Sequence, residues 1–145
     1  MQDTLGANRY KITTEKKNDR KGEPTMATKA EYKKFAAPDE VRTFNHGRIE
    51  LVNIGGGTVG RMTLNPGWRW SEDVKPVAGT EWCTAPHFQY LVSGRMHIKM
   101  ADGNEFDLGP GDVSNLPPNH DAWVLGDEPA VLVDWFGATN YAKHK

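Results

Sequence analysis

The chain has 145 residues, with 18 Lys+Arg, 19 Asp+Glu, five His and a single Cys, a length that fits one domain with a tail. One cysteine makes no intrachain disulfide and falls short of a structural thiolate zinc site. No run reaches the roughly 20 apolar residues of a membrane span, and the amino terminus lacks the apolar segment of a secretory signal, so the expected location is the cytoplasm, with no membrane partner.

The near-zero net charge hides an asymmetry. Residues 1–34 carry nine basic and five acidic residues, leaving nine basic and fourteen acidic ones for the rest. The first part has few apolar residues and no stable periodicity, the signature of a segment unable to offset its own ordering entropy. Residues 1–36 are expected to form a basic, flexible tail, with one short helix near Ala27–Phe35. Mixed charge with scattered aromatics reads as solvation, so a nucleic-acid partner is not expected. Residues 37–140 are expected to form the folded domain, and residues 141–145 a carboxyl-terminal tail.

From residue 48 onward, twelve glycines and seven prolines separate short β-branched and aromatic runs, the punctuation of an all-β sandwich or barrel. The expected strands are Arg48–Ile54, Thr58–Leu64, Trp68–Ser71, His87–Val92, Arg95–Met100, Glu105–Leu108, Asp112–Leu116, Asp121–Leu125 and Ala130–Phe136. In Arg95–Met100, period-two alternation puts Met96, Ile98 and Met100 on one face and Arg95, His97 and Lys99 on the other, so His97 points outward. Ser93-Gly94 and Asp102-Gly103 suit tight hairpin turns. Gly55-Gly56-Gly57 lacks the Lys-Ser/Thr of a phosphate loop and reads as a hairpin turn. No stretch after residue 47 carries a helical stripe, and no repeat of 20–50 residues is present.

Pro66-Gly67, the run PHFQYLVSGRMHIKM and the run LGPGDVSNLPPNHDAW together resemble a cupin, over roughly residues 45–136. The resemblance implies a double-stranded β-helix, or jelly-roll barrel, here with an amino-terminal extension. Cupins share two motifs: Gly, five residues, His-x-His, three or four residues, Glu, six residues, Gly; then Gly, five residues, Pro-x-Gly, two residues, His. Counting back from Gly94 puts His87 in the glutamate slot. Counting forward from Gly67 puts Asp73-Val74-Lys75 in the His-x-His slot, whereas counting back from His87 puts Glu81-Trp82-Cys83 there. The forward count keeps the Pro-Gly turn and is preferred, leaving an extra loop over Val77–Ala85. In the second motif Gly111 and Pro117-Pro118 match, Asn119 stands at the turn glycine, and Ala122 fills the histidine slot with His120 two residues earlier on the same face. Asn is the non-Gly residue most tolerant of positive φ.

In metal-binding cupins the three His and the Glu converge on one ion, and the resemblance implies a corresponding set here. His87 and His120 with Asp73 or Glu81 would form two imidazoles and a carboxylate, suited to a divalent transition metal such as zinc, iron, nickel, copper or manganese. A low-pKa thiolate at Cys83 could join or replace the carboxylate, although a buried cysteine is more often a small hydrophobe. Gln89 shares the face of His87 and is a candidate substrate ligand. Trp68 and Trp70 would line an aromatic pocket for a flat or apolar ligand, and Lys75, which would share a face with Asp73, is a further candidate substrate ligand. Asp121, His46 and His144 are read as surface residues.

Three functions compete. The first is a metal-dependent cupin acting on a small organic molecule, of dioxygenase, isomerase or lyase type. The second is a metal-free module that binds a small molecule without turnover. The third is a metal-free acid/base enzyme of the epimerase type with His87 or His120 as base. Open jelly rolls leave sheet edges to cover, so a homodimer is expected.

Overall fold

The structure, a computed structural model, describes residues 29–143; residues 1–28 of the expected tail, and the last two residues with His144, lie outside them. Among the described residues nine strands follow one another: β1 (Glu40–Phe44), β2 (Gly47–Ile54), β3 (Gly57–Leu64), β4 (His87–Ser93), β5 (Arg95–Met100), β6 (Glu105–Leu108), β7 (Val113–Leu116), β8 (His120–Leu125) and β9 (Ala130–Asp134). They form a six-stranded sheet ordered β1-β2-β3-β9-β4-β7 and a three-stranded sheet ordered β6-β5-β8. Each named pairing is antiparallel. The all-β architecture read from the punctuation, and the jelly roll implied by the resemblance, are what the chain adopts. Among the described residues no helix is long and apolar enough to cross a membrane.

Alternation fixes which side chains meet between the sheets. Ile49 and Leu51 of β2, Met62 and Leu64 of β3, Leu91 of β4 and Leu132 of β9 point inward and are buried. Met96, Ile98 and Met100 face them from β5, as the sequence pattern requires. Each such side chain contributes about 1.5–3 kcal/mol by leaving water. Gly55 and Gly56 both have positive φ (60° and 78°) between the paired residues Ile54 and Gly57, which is the tight turn whose twist matches a hairpin.

Three local expectations need correction. Ser93-Gly94 is not a hairpin turn but the crossing from the large sheet to the small one. Gly94 has φ 78°, and a Cβ there would overlap the Pro129 carbonyl oxygen. Trp68–Ser71 is not a strand. After the Gly67 turn, Arg69 makes one bridge to Trp123, and the chain coils into α1 (Trp70–Asp73) and α2 (Lys75–Ala78). Asp73 Oδ2 accepts the Arg69 N–H at 2.9 Å and Asp121 Oδ1 accepts the Ser71 N–H at 3.1 Å. These carboxylates satisfy donors that a helix start leaves open. Asp121, read as a surface residue, is therefore buried.

The short helix near Ala27–Phe35 is absent over its described part, residues 29–35, which carries no helix. That segment lies against the body, with Glu31 accepting the Gly55 N–H at 2.7 Å and the Arg61 guanidinium over the Phe35 ring. Strand β1, which the sequence did not signal, is mostly exposed. Arg42 ties it to the carboxyl-terminal segment by donating to the carbonyls of Thr139 and Tyr141 at 2.8 and 2.7 Å.

His97 stands on the outer face of the small sheet. Its Nδ1 and Nε2 face Asp107 at 2.6 Å and Glu105 at 3.0 Å, and its ring stacks on Trp123 with centroids 4.5 Å apart. Glu105 first and Asp107 next raise the imidazole above its usual 6.5. This stabilisation is fully present below the unfolded value and fades as pH rises through the raised folded one. The melting temperature of the wild type should exceed that of His97→Gln by a margin that is widest near pH 6 and shrinks toward pH 9. A margin constant across that range would mean that charge on His97 plays no part.

Candidate metal centre

Strand β4 aims His87 and Gln89 into the barrel, and β8 aims His120 there from the opposite sheet. The loop after α2 crosses the barrel end between them. Its Cys83 N–H donates to the His120 carbonyl at 2.9 Å, while the Asn119 N–H donates to the Cys83 carbonyl at 2.7 Å. Asn119 holds φ 75° at this junction, the conformation for which the motif uses glycine.

The result is a buried cluster in which Sγ of Cys83 and one ring nitrogen each of His87 and His120 lie within 4.8 Å of one another. Cys83 Sγ is 3.9 Å from His87 Nε2, and the two imidazole centroids are 5.2 Å apart. An acceptor beside each Nδ1 sets the tautomer. His87 Nδ1–H donates to Asp134 Oδ2 at 2.5 Å and His120 Nδ1–H donates to the Pro117 carbonyl at 2.8 Å. Both Nε2 lone pairs are thereby left free, the arrangement that orients metal-binding histidines. Burial, helped by the neighbouring His87, pushes His120 down to about 4, so its imidazole is neutral at neutral pH and able to ligate.

Cys83 is buried, as in the reading of it as a small hydrophobe, and is not the low-pKa thiolate of the alternative reading. Burial pushes it up to about 12, so in the barrel by itself it is a protonated, inert thiol. Coordination to a divalent cation is what would displace that proton.

The other candidates are placed as follows. The Asp73 carboxylate is spent on the Arg69 N–H and on His46, whose Nδ1 is 3.0 Å away, and it lies outside the cluster. Glu81 is exposed and paired with Lys75 at 3.2 Å; Lys75 does not line the cavity. The count back from His87, which puts Cys83 at the second His slot, thus describes the geometry, and the preferred forward count from Gly67 does not. Gln89, Trp68 and Trp70 line the cavity, and Gln89 donates to Ser114 Oγ at 3.2 Å.

Two participants were not foreseen. Asp134 is fully buried, and besides His87 it accepts the N–H groups of Phe88 at 3.2 Å and Phe136 at 3.0 Å. A lone acid on the inward set Ala130, Leu132, Asp134 was the available signal. Tyr141, assigned to the carboxyl-terminal tail, is buried with its ring 5.4 Å from that of His87.

The cavity between the sheets has a volume of about 20 Å³, room for about one water, and is lined by Met62, Leu64, Met96, Ile98 and Leu132 besides the polar and aromatic residues above. Among the described residues no Lys or Arg lines it. Trp68 Nε1–H, buried and without an acceptor among the described residues, is a donor that a bound molecule could satisfy.

No family model and no curated protein matches the sequence. Solved structures do match the fold. The oxalate decarboxylase of Lactobacillus farciminis, solved as a formate complex, superposes with a TM-score of 0.52 at 18% identity, over 70% of this chain and 32% of that one. The chain thus spans about a third of the length of that enzyme. A protein of unknown function from Rhizobium leguminosarum gives 0.50 at 19% identity, over 73% and 94% of the two chains. A cupin-like protein of Thermotoga maritima gives 0.47 at 18%, over 66% and 73%. The fold is that of the cupins. In this fold the candidate centre lies inside the barrel, between the two sheets.

Proposed function

We propose that this cupin holds one divalent transition metal through Cys83 Sγ and the Nε2 atoms of His87 and His120, and acts on a small organic molecule in the adjoining cavity. The observation that carries the reading is the cluster: Cys83 Sγ and one ring nitrogen each of His87 and His120 lie within 4.8 Å of one another, while Nδ1 of each imidazole faces an acceptor. A thiol with two imidazoles suits zinc, iron, nickel or copper better than manganese. When bound, the ion supplies a Lewis acid with an open coordination position. Asp134 holds the His87 ring in place, and Gln89 and the Trp68 N–H orient the substrate. The absence of cationic side chains in the lining favours a neutral or singly charged substrate, and the reaction class is of dioxygenase, isomerase or lyase type.

Metal analysis of tag-free protein tests this directly. Close to one transition metal per chain is expected, with less than about a tenth of that in His120→Ala or His87→Ala, since loss of a ligand outweighs the ~10–100-fold effect of losing an outer partner. Metal-free protein that shows no thermal stabilisation by zinc, iron, nickel, copper or manganese would overturn the proposal.

A second reading rests on the short Asp134–His87 contact, which also suits His87 as a proton-transfer base without metal. It requires proton exchange at a substrate carbon that survives chelation and disappears in His87→Ala.

A further inference from the structure

The cavity between the sheets has room for about one water, so the small organic substrate proposed above fits only after a wall moves. A second space of about 60 Å³ lies at the barrel end, between α1, α2 and the carboxyl-terminal segment, and reaches solvent past the exposed Thr84 and Asn140. Trp70, Cys83 and Tyr141 line both spaces and so form the wall between them.

The three wall residues are not held alike. Trp70 sits in α1, whose open amides Asp73 and Asp121 satisfy, and the Cys83 backbone is bonded both to His120 and to Asn119. Tyr141 belongs to residues 137–143, and among the described residues no backbone hydrogen bond ties that segment to another element. Beyond the packing of Ala138 and Tyr141, one side chain holds it. Arg42 of β1, oriented by Glu40 at 2.7 and 3.0 Å, donates to the carbonyls of Ala138, Thr139 and Tyr141 at 3.4, 2.8 and 2.7 Å. Ala142, next in the chain, holds φ 51°, a conformation that a residue with a Cβ adopts only under constraint.

We propose, building on the function proposed above, that Tyr141 is the gate of this site and stands where a ring of the substrate binds, which makes the substrate a flat monocyclic aromatic carrying a hydrogen-bond acceptor. The Tyr141 ring meets the rings of His87 and Phe44 edge to face, with centroids 5.4 and 6.0 Å away and interplanar angles of 69° and 75°. Such surroundings favour a second aromatic ring over an open chain, because ring edges and faces attract through their opposite partial charges. The acceptor follows from Trp68, which lines the cavity and whose buried Nε1–H has no partner among the described residues. When the Arg42 hydrogen bonds break, Tyr141 swings out with its segment and the two spaces join. A substrate ring then takes the vacated place beside His87.

The test is calorimetric titration of the full chain, freed of metal by chelation, with p-cresol, which is the Tyr141 side chain as a free molecule. The open-chain comparison is n-heptanol, of equal heavy-atom count. Arg42→Ala loosens the closed state and should bind p-cresol about tenfold more tightly than the wild type, since apparent affinity scales with the open fraction. Arg42→Lys keeps the charge but loses the fork, and should fall between the two. In Arg42→Ala, n-heptanol should bind about tenfold more weakly than p-cresol. Zinc uptake by the metal-free chain should quicken about tenfold in Arg42→Ala with its equilibrium affinity little changed, because a gate governs entry and exit alike. Equal p-cresol affinities in wild type and both Arg42 variants, or equal zinc uptake rates, overturn the gate. Absence of p-cresol binding in Arg42→Ala, or n-heptanol binding as tightly, overturns the substrate class. A chain that takes up no zinc overturns the metal reading instead, and the p-cresol titrations still decide the role of Tyr141.

Discussion

Asp134→Ala is expected to lower the free energy of unfolding by roughly 3–5 kcal/mol. Its carboxylate is fully buried and is the acceptor for three donors, His87 Nδ1–H and the backbone N–H groups of Phe88 and Phe136. Each buried donor left without an acceptor costs about 1–3 kcal/mol. The cost exceeds that of an ordinary core truncation because the side chain joins strand β4 to the end of β9. Asp134→Asn keeps the volume and one acceptor oxygen, so it should retain more of the stability while weakening metal binding by ~10–100-fold, the usual effect of removing a carboxylate behind a ligand histidine. Urea unfolding and metal competition read the two effects separately. An Asn variant with undiminished metal affinity would remove the orienting role assigned to Asp134.

Gly137→Ala is the second substitution expected to do large damage. Gly137 has φ 88°, and a Cβ there would overlap the Pro86 carbonyl oxygen, a backbone atom that side-chain rotation cannot move. Left-handed strain alone costs about 1 kcal/mol, and the overlap should bring the total to about 3 kcal/mol or more. For a chain of this size that is a fall of roughly 6–12 °C in melting temperature. Gly103→Ala is the matched control. Gly103 has φ 94°, but a Cβ there meets nothing within 4 Å, so only the strain should be felt. Equal losses at the two positions would mean that the Pro86 contact yields. The Gly137 substitution also bears on the site, because this residue starts the turn Ala138–Asn140 that delivers Tyr141 to His87.

What the sequence disclosed follows from period-two alternation. His87 and Gln89, Met96 and Ile98, and His120 and Ala122 share inward faces because each pair sits two residues apart on a strand, and pairing in either sheet cannot change that. The motif departures were legible for the same reason: Asn119 keeps the positive φ of a glycine slot and His120 keeps the facing of Ala122. What escaped was set by contacts distant in sequence. Trp68–Ser71 carries strand-forming aromatics, but Asp73 and Asp121 satisfy the amides of Arg69 and Ser71 and turn the segment into a helix start. The choice between Asp73 and Cys83 as neighbour of the histidines depended on the backbone pairing of Cys83 with His120, across 37 residues, which spacing within a motif does not encode. Tyr141 lay in a short polar tail, and its burial depends on Arg42 of β1 holding that tail by its carbonyls.

The position of Cys83 gives the molecule a clock. It is the chain's sole thiol, it is 3% exposed and held protonated by burial, and its loop is hydrogen-bonded in both directions to the start of β8. An alkylating reagent reacts only with a thiolate it can reach, so modification of this protein proceeds no faster than the loop lifts from β8. The single adduct therefore times one defined opening of the barrel end, with no second cysteine to confuse the count.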